Sequence, residues 1–207
     1  SQTNTEVFLF DIKKTETGYE LTNKKNISIN EGYDSQPHFY DNYALLFASS
    51  RNGQTDIVKY TIDTGIKEFI NYSPEGGEYS PQRIPGTDDI SAVRLDNTGL
   101  QRFYRYDINT GNSKEIIRNL EVAYPLWASN KLLFSAVIGE KSLELVKSDL
   151  KNKTNVLLEK NIGRSLHCIP GTNSISFISK KKPLWEIFSI DITTLTINKL
   201  IIDRKLY

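Results

Sequence analysis

The chain has one cysteine, two histidines, two tryptophans and no methionine among its 207 residues. The lone Cys168 excludes an intrachain disulfide and any paired-cysteine metal knuckle, and its setting in LHCIP reads as a small buried hydrophobe. His38 and His167 are too few for a multi-histidine metal centre. An excess of one charge sign is missing too: Lys+Arg number 26 and Asp+Glu 25, a formal net charge of +1. No global field therefore draws the chain to nucleic acid or to an anionic membrane, and the expectation is no nucleic acid and no membrane insertion. No apolar run approaches the roughly 18 residues of a spanning helix; YPLWA and LLFSAVI are strand-sized.

Catalytic signatures are also missing. The sequence has no GxSxG elbow, HExxH, Walker loop, EF-hand loop or SxDxGxTW box. Ser165 and His167 share a strand face by spacing, but no acid is placed to complete a nucleophile–base pair. The sequons at Asn26, Asn71 and Asn152 carry little weight in an Asn-rich chain.

What is present is alternation. Apolar and polar residues alternate over short stretches interrupted by Gly, Asn, Asp or Pro, the pattern of half-buried strands joined by tight turns, and no amphipathic helix stands out. A corner of the form Tyr-x-x-Asp/Asn-Thr-Gly recurs in VKYTIDTG and YRYDINTG, with weaker echoes in FLFDIKKTETG, VKSDLKNKT and FSIDITTLT. Its anchors are Phe10, Tyr60, Tyr106, Ser148 and Ile190, 42 to 50 residues apart, which is the repeat length of propeller blades. Thirteen or fourteen residues before the last four anchors stand the strand centres Phe47, Val93, Phe134 and Phe177. The openings SQPHF, YSPQR, AYPLW and SLHCI come earlier still, three of them carrying Pro37, Pro81 or Pro125, and a proline suits an edge strand. RNGQ supplies the Asn-Gly of a type I′ hairpin turn. Each unit thus reads as four antiparallel strands, apolar on both faces because each sheet packs between neighbours.

In SQPHFYDNYALLFASSRNGQTDIVKYTIDTG, the residues Ser35, Pro37, Phe39, Phe47, Ser49, Arg51, Gly53, Asp56, Ile57 and Gly65 resemble the WD40-like repeat of TolB-type β-propellers. The stretch from Gly76 to Gly111 is similar to exported Bacteroidetes-type propeller proteins, generally without an assigned activity. The resemblance implies an all-β fold of four-stranded antiparallel blades. Strand counting expects one propeller domain over residues 1–207: half of a first blade at about 6–28, then complete blades at about 33–72, 77–119, 121–159 and 163–203. The expectation is the N-terminal part of a six-bladed ring, truncated at the C-terminus, with a five-bladed closure as the alternative.

Blade openings are the innermost strands of such a ring, so His38 and His167 are expected beside Gln36, Gln82 and Tyr124 on a channel-side polar surface. Blade three is the least stereotyped unit and gathers Glu75, Glu78, Tyr79, Arg83, Arg94 and Arg102. Together His38, Glu78, Tyr79, Arg83, Arg94, Arg102, Tyr124 and His167 form the candidate recognition surface, with Arg102 paired to Asp96 or Glu78. Asp56, with Ser49 and Arg51, is expected to be scaffolding that accepts hydrogen bonds from the adjacent turn, and Arg102, Glu144 and Glu186 occupy the same repeat position. No cofactor is expected, and a channel Ca²⁺, which could take oxygen ligands from several blades, is an open alternative without support in the sequence. The polar start SQTNTEVFLF, without Met, reads as a mature protein after signal-peptide removal. The leading functional expectation is a non-catalytic periplasmic or secreted module that binds a cell-envelope protein or a glycan. The alternative is a propeller hydrolase or lyase, or the propeller of a prolyl-oligopeptidase-like enzyme lacking its catalytic domain.

Overall fold

A computed structural model describes residues 4–74 and 76–200, and all of its regular elements are β-strands. Glu75 and the last residues expected in blade five, 201–203, lie outside the described residues. Strands β1 (Phe8–Lys14) and β2 (Tyr19–Asn26) pair alone. Four four-stranded sheets follow in simple up-and-down order. The first is β3 (Asp34–Phe39), β4 (Ala44–Arg51), β5 (Gln54–Thr61) and β6 (Lys67–Phe69), and the second is β7 (Gly76–Arg83), β8 (Ile90–Asp96), β9 (Gln101–Tyr106) and β10 (Ser113–Ile117). The third is β11 (Val122–Ser129), β12 (Leu132–Ile138), β13 (Leu143–Asp149) and β14 (Thr154–Lys160), and the fourth is β15 (Ile162–Cys168), β16 (Ser174–Ser179), β17 (Glu186–Asp191) and β18 (Ile197–Lys199). These are four complete blades preceded by half of one. Among the described residues no helix is long and apolar enough to cross a membrane.

The chain divides into two compact units. The first takes in the chain up to Arg83 with Asp88–Leu100 and Tyr104–Ile116; the second holds Ile84–Thr87, Gln101–Phe103 and the chain from Ile117.

In the first unit, strand alternation sends neighbouring side chains into two different cores. Leu45, Phe47, Val58 and Tyr60 meet Val7 and Ile27 beside the two-stranded sheet. Ala44, Leu46 and Ile57 meet Ile90, Ala92 and Tyr106 from the second sheet. The continuous apolar run of β4 is thus a strand buried on both faces rather than a helix, because each sheet side has a neighbour to pack against. In the second unit, Phe134, Leu145, Leu166, Phe177 and Ile190 share one core, with the Phe177 and Phe188 rings stacked 5.8 Å apart.

The repeat anchors Tyr60, Tyr106, Ser148 and Ile190 are all buried, as are the strand centres Phe47, Val93, Phe134 and Phe177. Both turn types keep their chemistry. Asn52 and Gly53 have φ of 52° and 80°, the paired positive values of a type I′ hairpin. Five residues after each anchor the chain turns left-handed, at Gly65, Gly111, Lys153 and Leu195. In three of these corners an aspartate at the residue after the anchor accepts two backbone N–H groups: Asp107 from Asn109 and Thr110, Asp149 from Lys151 and Asn152, and Asp191 from Thr193 and Thr194. Those bonds hold all three carboxyls below the usual aspartate range.

One side chain is not where its neighbours in sequence place it. Cys168, expected as a small buried hydrophobe, is exposed, because it ends β15, where the sheet gives way to a turn.

Candidate functional site

Every first strand of a complete blade is irregular. Register breaks fall between Ser35 and His38 in β3, between Tyr79 and Gln82 in β7, at two places in β11, and between Ile162 and Leu166 in β15. In β3 and β7 the break centres on a left-handed residue followed by proline: Gln36 at φ 58° before Pro37, and Ser80 at φ 51° before Pro81. Neither residue is glycine, so each backbone is held in a disfavoured region by its surroundings. The surroundings are visible, since the Ser80 N–H donates to the Gln36 side-chain carbonyl at 2.7 Å and locks one bulge onto the other. Bulges re-aim side chains, and here they do so on two adjacent first strands.

Arg83 and Arg94 of blade three are engaged close to home. Arg83 meets Asp88 at 2.8 Å and lies 4.5 Å above the ring of Tyr40, which Lys59 approaches at 5.0 Å. The Tyr40 hydroxyl donates to the Asp88 carbonyl, fixing the ring. Arg94 donates to Asp96 and to the Tyr104 hydroxyl, both at 2.7 Å, and its guanidinium lies 4.0 Å from the Tyr104 ring centre. Tyr79 sits edge-on to Tyr33 at 6.0 Å.

Glu78 does not lie on an exposed recognition surface. It is fully buried, and its carboxylate accepts hydrogen bonds from Asn71 at 2.8 Å and from the Tyr106 hydroxyl at 2.9 Å. The Asn71 amide also reaches Asp56 at 3.2 Å, so one side-chain amide bridges two buried acids. Asp56 further accepts from Gln54 at 3.2 Å and from the Ser73 backbone at 3.3 Å, with Arg51 at 3.5 Å. Burial pushes the Glu78 carboxyl up to about 6 against the hydrogen bonds that favour its ion, and burial likewise raises the Tyr106 phenol. The expected scaffolding role of Asp56 extends into a network that ties β5, the segment before β7, β7 and β9 together. Asn71, read in the sequence as part of a sequon, is its hub and is buried. Asp96 and Glu78, the expected partners of Arg102, are held by Arg94 and by Asn71 with Tyr106.

His38 is half-buried on β3, with Nδ1 2.9 Å from the Phe39 carbonyl. In the second unit Arg102 is half-buried on β9, Tyr124 is half-buried on β11 under the Arg164 guanidinium at 5.8 Å, and His167 is exposed on β15. The first unit thus brings His38 on β3 next to the strand that carries Tyr79 and Arg83. Among the described residues no three His, Cys, Asp or Glu side chains gather as metal ligands would.

No protein-family model matches the sequence, and no curated protein matches it. Solved structures do match. TolB from Acinetobacter baumannii superimposes with a TM-score of 0.68 at 15% identity, over 89% of this chain and 49% of that one. A puromycin-hydrolyzing peptidase from Mycobacterium tuberculosis gives 0.65 at 14% identity, over 86% of this chain and 30% of the other. An oligogalacturonate lyase in complex with manganese gives 0.63 at 13% identity, over 97% and 74%. The chain spans about half the length of TolB and under a third of the peptidase. At these identities the likeness is one of fold. The chain is built of four-stranded blades, and its fold is that of a β-propeller, similar to the propeller of TolB.

Proposed function

We propose that this chain is a non-catalytic docking module of the periplasm or the cell exterior, which holds a protein partner on the first strands of its blades. The observation that carries the reading is the linked pair of bulges at Gln36-Pro37 and Ser80-Pro81. Two non-glycine residues are kept left-handed, each at a cost of about 1–3 kcal/mol, and strain of this kind clusters where a surface is pre-shaped for a ligand. The bulges turn the polar side chains of β3 and β7 away from a regular sheet, with His38 on one strand and Arg83, stacked on Tyr40, on the other. An arginine on an aromatic shelf is the residue type that anchors protein interfaces. The buried acids of the same unit are bound to internal donors, which supports a scaffolding role for them.

The test is retention of envelope components on immobilised chain, comparing the parent with a His38→Ala, Arg83→Ala double variant whose melting temperature is first matched to it. The reading expects loss of a specific protein band, with an oligosaccharide array run in parallel for the glycan alternative. Retention unchanged by the double substitution would remove β3 and β7 from the binding surface.

A further inference from the structure

Strands β16 and β17 are joined by the longest of the four turns between second and third blade strands, residues 180–185, of sequence KKKPLW. The equivalent turn in the first complete blade is Asn52-Gly53 alone. In this turn Leu184 is 73% and Trp185 61% exposed, two adjacent large apolar side chains at a hairpin end. Lysines surround them. The Lys180 ammonium lies 4.0 Å from the centre of the Trp185 ring, Lys181 meets Glu159 at 2.5 Å, and Lys182 and Lys199 meet Glu186 at 3.4 Å and 2.6 Å. Four ammonium groups against two carboxylates leave a surplus of two positive charges at the tip, in a chain whose whole net charge is +1.

We infer that this hairpin tip docks reversibly on an anionic phospholipid surface, with Leu184 and Trp185 entering the headgroup layer and the lysines meeting lipid phosphates. The choice of lipid over protein rests on composition and shape. Protein interfaces are enriched in aromatic residues and arginine and depleted in lysine. Lysine beside tryptophan is the pairing of a bilayer boundary, where the indole sits at headgroup depth and the lysine stem lies along apolar surface with its ammonium in water. The Lys180 ammonium already lies over the face of the Trp185 ring. Two adjacent exposed apolar groups on a hairpin turn suit a soft flat surface. One apolar pair and a small charge surplus make the attachment weak and salt-sensitive. The inference concerns β16 and β17 and is independent of the docking strands β3 and β7.

The sequence supplies its own probe. Trp127, the other tryptophan, is 7% exposed, so a change in emission on mixing with vesicles reports Trp185. The chain is titrated with vesicles of phosphatidylglycerol and phosphatidylcholine in equal parts, and with phosphatidylcholine alone. The expected result is a blue shift and co-sedimentation with the anionic vesicles, weaker by about tenfold with neutral ones. Leu184→Asp and Trp185→Ser, both at exposed positions, are expected to leave melting unchanged; each lowers co-sedimentation by about tenfold. No co-sedimentation with anionic vesicles overturns the inference, as does equal binding by Leu184→Asp. Capture of a polyglutamate peptide without vesicle binding would assign the tip to an acidic protein partner instead.

Discussion

Replacing Glu78 by glutamine should stabilise the protein at neutral and alkaline pH and leave it unchanged in mild acid. Glu78 is fully buried, and its carboxyl is pushed from an ordinary 4.5 up to about 6, burial being the largest cause. Because the folded-state value lies above the unfolded one, the favourable contribution is complete below about pH 4.5 and is lost as pH rises through about 6. Above that, the ionised side chain costs about 2 kcal/mol, from a displacement of about 1.5 pH units at 1.36 kcal/mol each. Glutamine mimics the neutral acid. Its carbonyl can take the Asn71 amide, while the Tyr106 hydroxyl, which both donates and accepts, can turn to receive the new N–H. Urea unfolding of both proteins from about pH 4 to about pH 8 should give a stability difference that grows from near zero to about 2 kcal/mol. The aspartates Asp107, Asp149 and Asp191 have lowered values, so their contribution is present at neutral pH and is lost in acid as pH falls through their folded values. That loss is common to both proteins and cancels in the difference. A stability difference that does not vary with pH, or a destabilised variant at about pH 8, would refute the reasoning, since it would mean that the ion is needed by the network.

Three further substitutions probe the blades. Gly111→Ala should cost roughly 2 kcal/mol or more, because φ there is 70° and a Cβ would fall 2.5 Å from the Ile70 carbonyl oxygen. Lys153→Gly, at the matching corner with φ 55°, should instead raise the melting temperature slightly, since it relieves a left-handed lysine. Phe47→Ala should cost about 3–5 kcal/mol in chemical denaturation, because its ring is fully buried between the two-stranded sheet and the sheet of β3–β6. A loss under about 1 kcal/mol there would mean that the half blade is not packed in solution.

The blades were legible in the sequence because their signals are local. The spacing of Tyr60, Tyr106, Ser148 and Ile190 marks one buried position per blade, and Asn52-Gly53 and Gly111 mark turns whose positive φ glycine or asparagine tolerates. The site was legible only in part. Glu78 stands among Glu75, Tyr79 and Arg83 in a polar stretch, and nothing in that stretch distinguishes a buried acid from a solvated one. What buries it are Asn71, seven residues earlier, and Tyr106, twenty-eight residues later, and both were read in other roles. The same limit applies to Gln36, whose carbonyl meets the Ser80 backbone forty-four residues away. Cys168 errs in the opposite direction, an apolar-looking residue left exposed at a strand end.

Strand period, turn type and blade repeat depend on neighbours a few residues apart, so composition and spacing alone were enough to establish a propeller of four-stranded blades. Which charges are solvated, which acids share a donor, and which bulge braces which depend on contacts across blades. Burial free energy is settled by whatever packs against a side chain, and that partner is distant in the chain; only the folded arrangement could decide it.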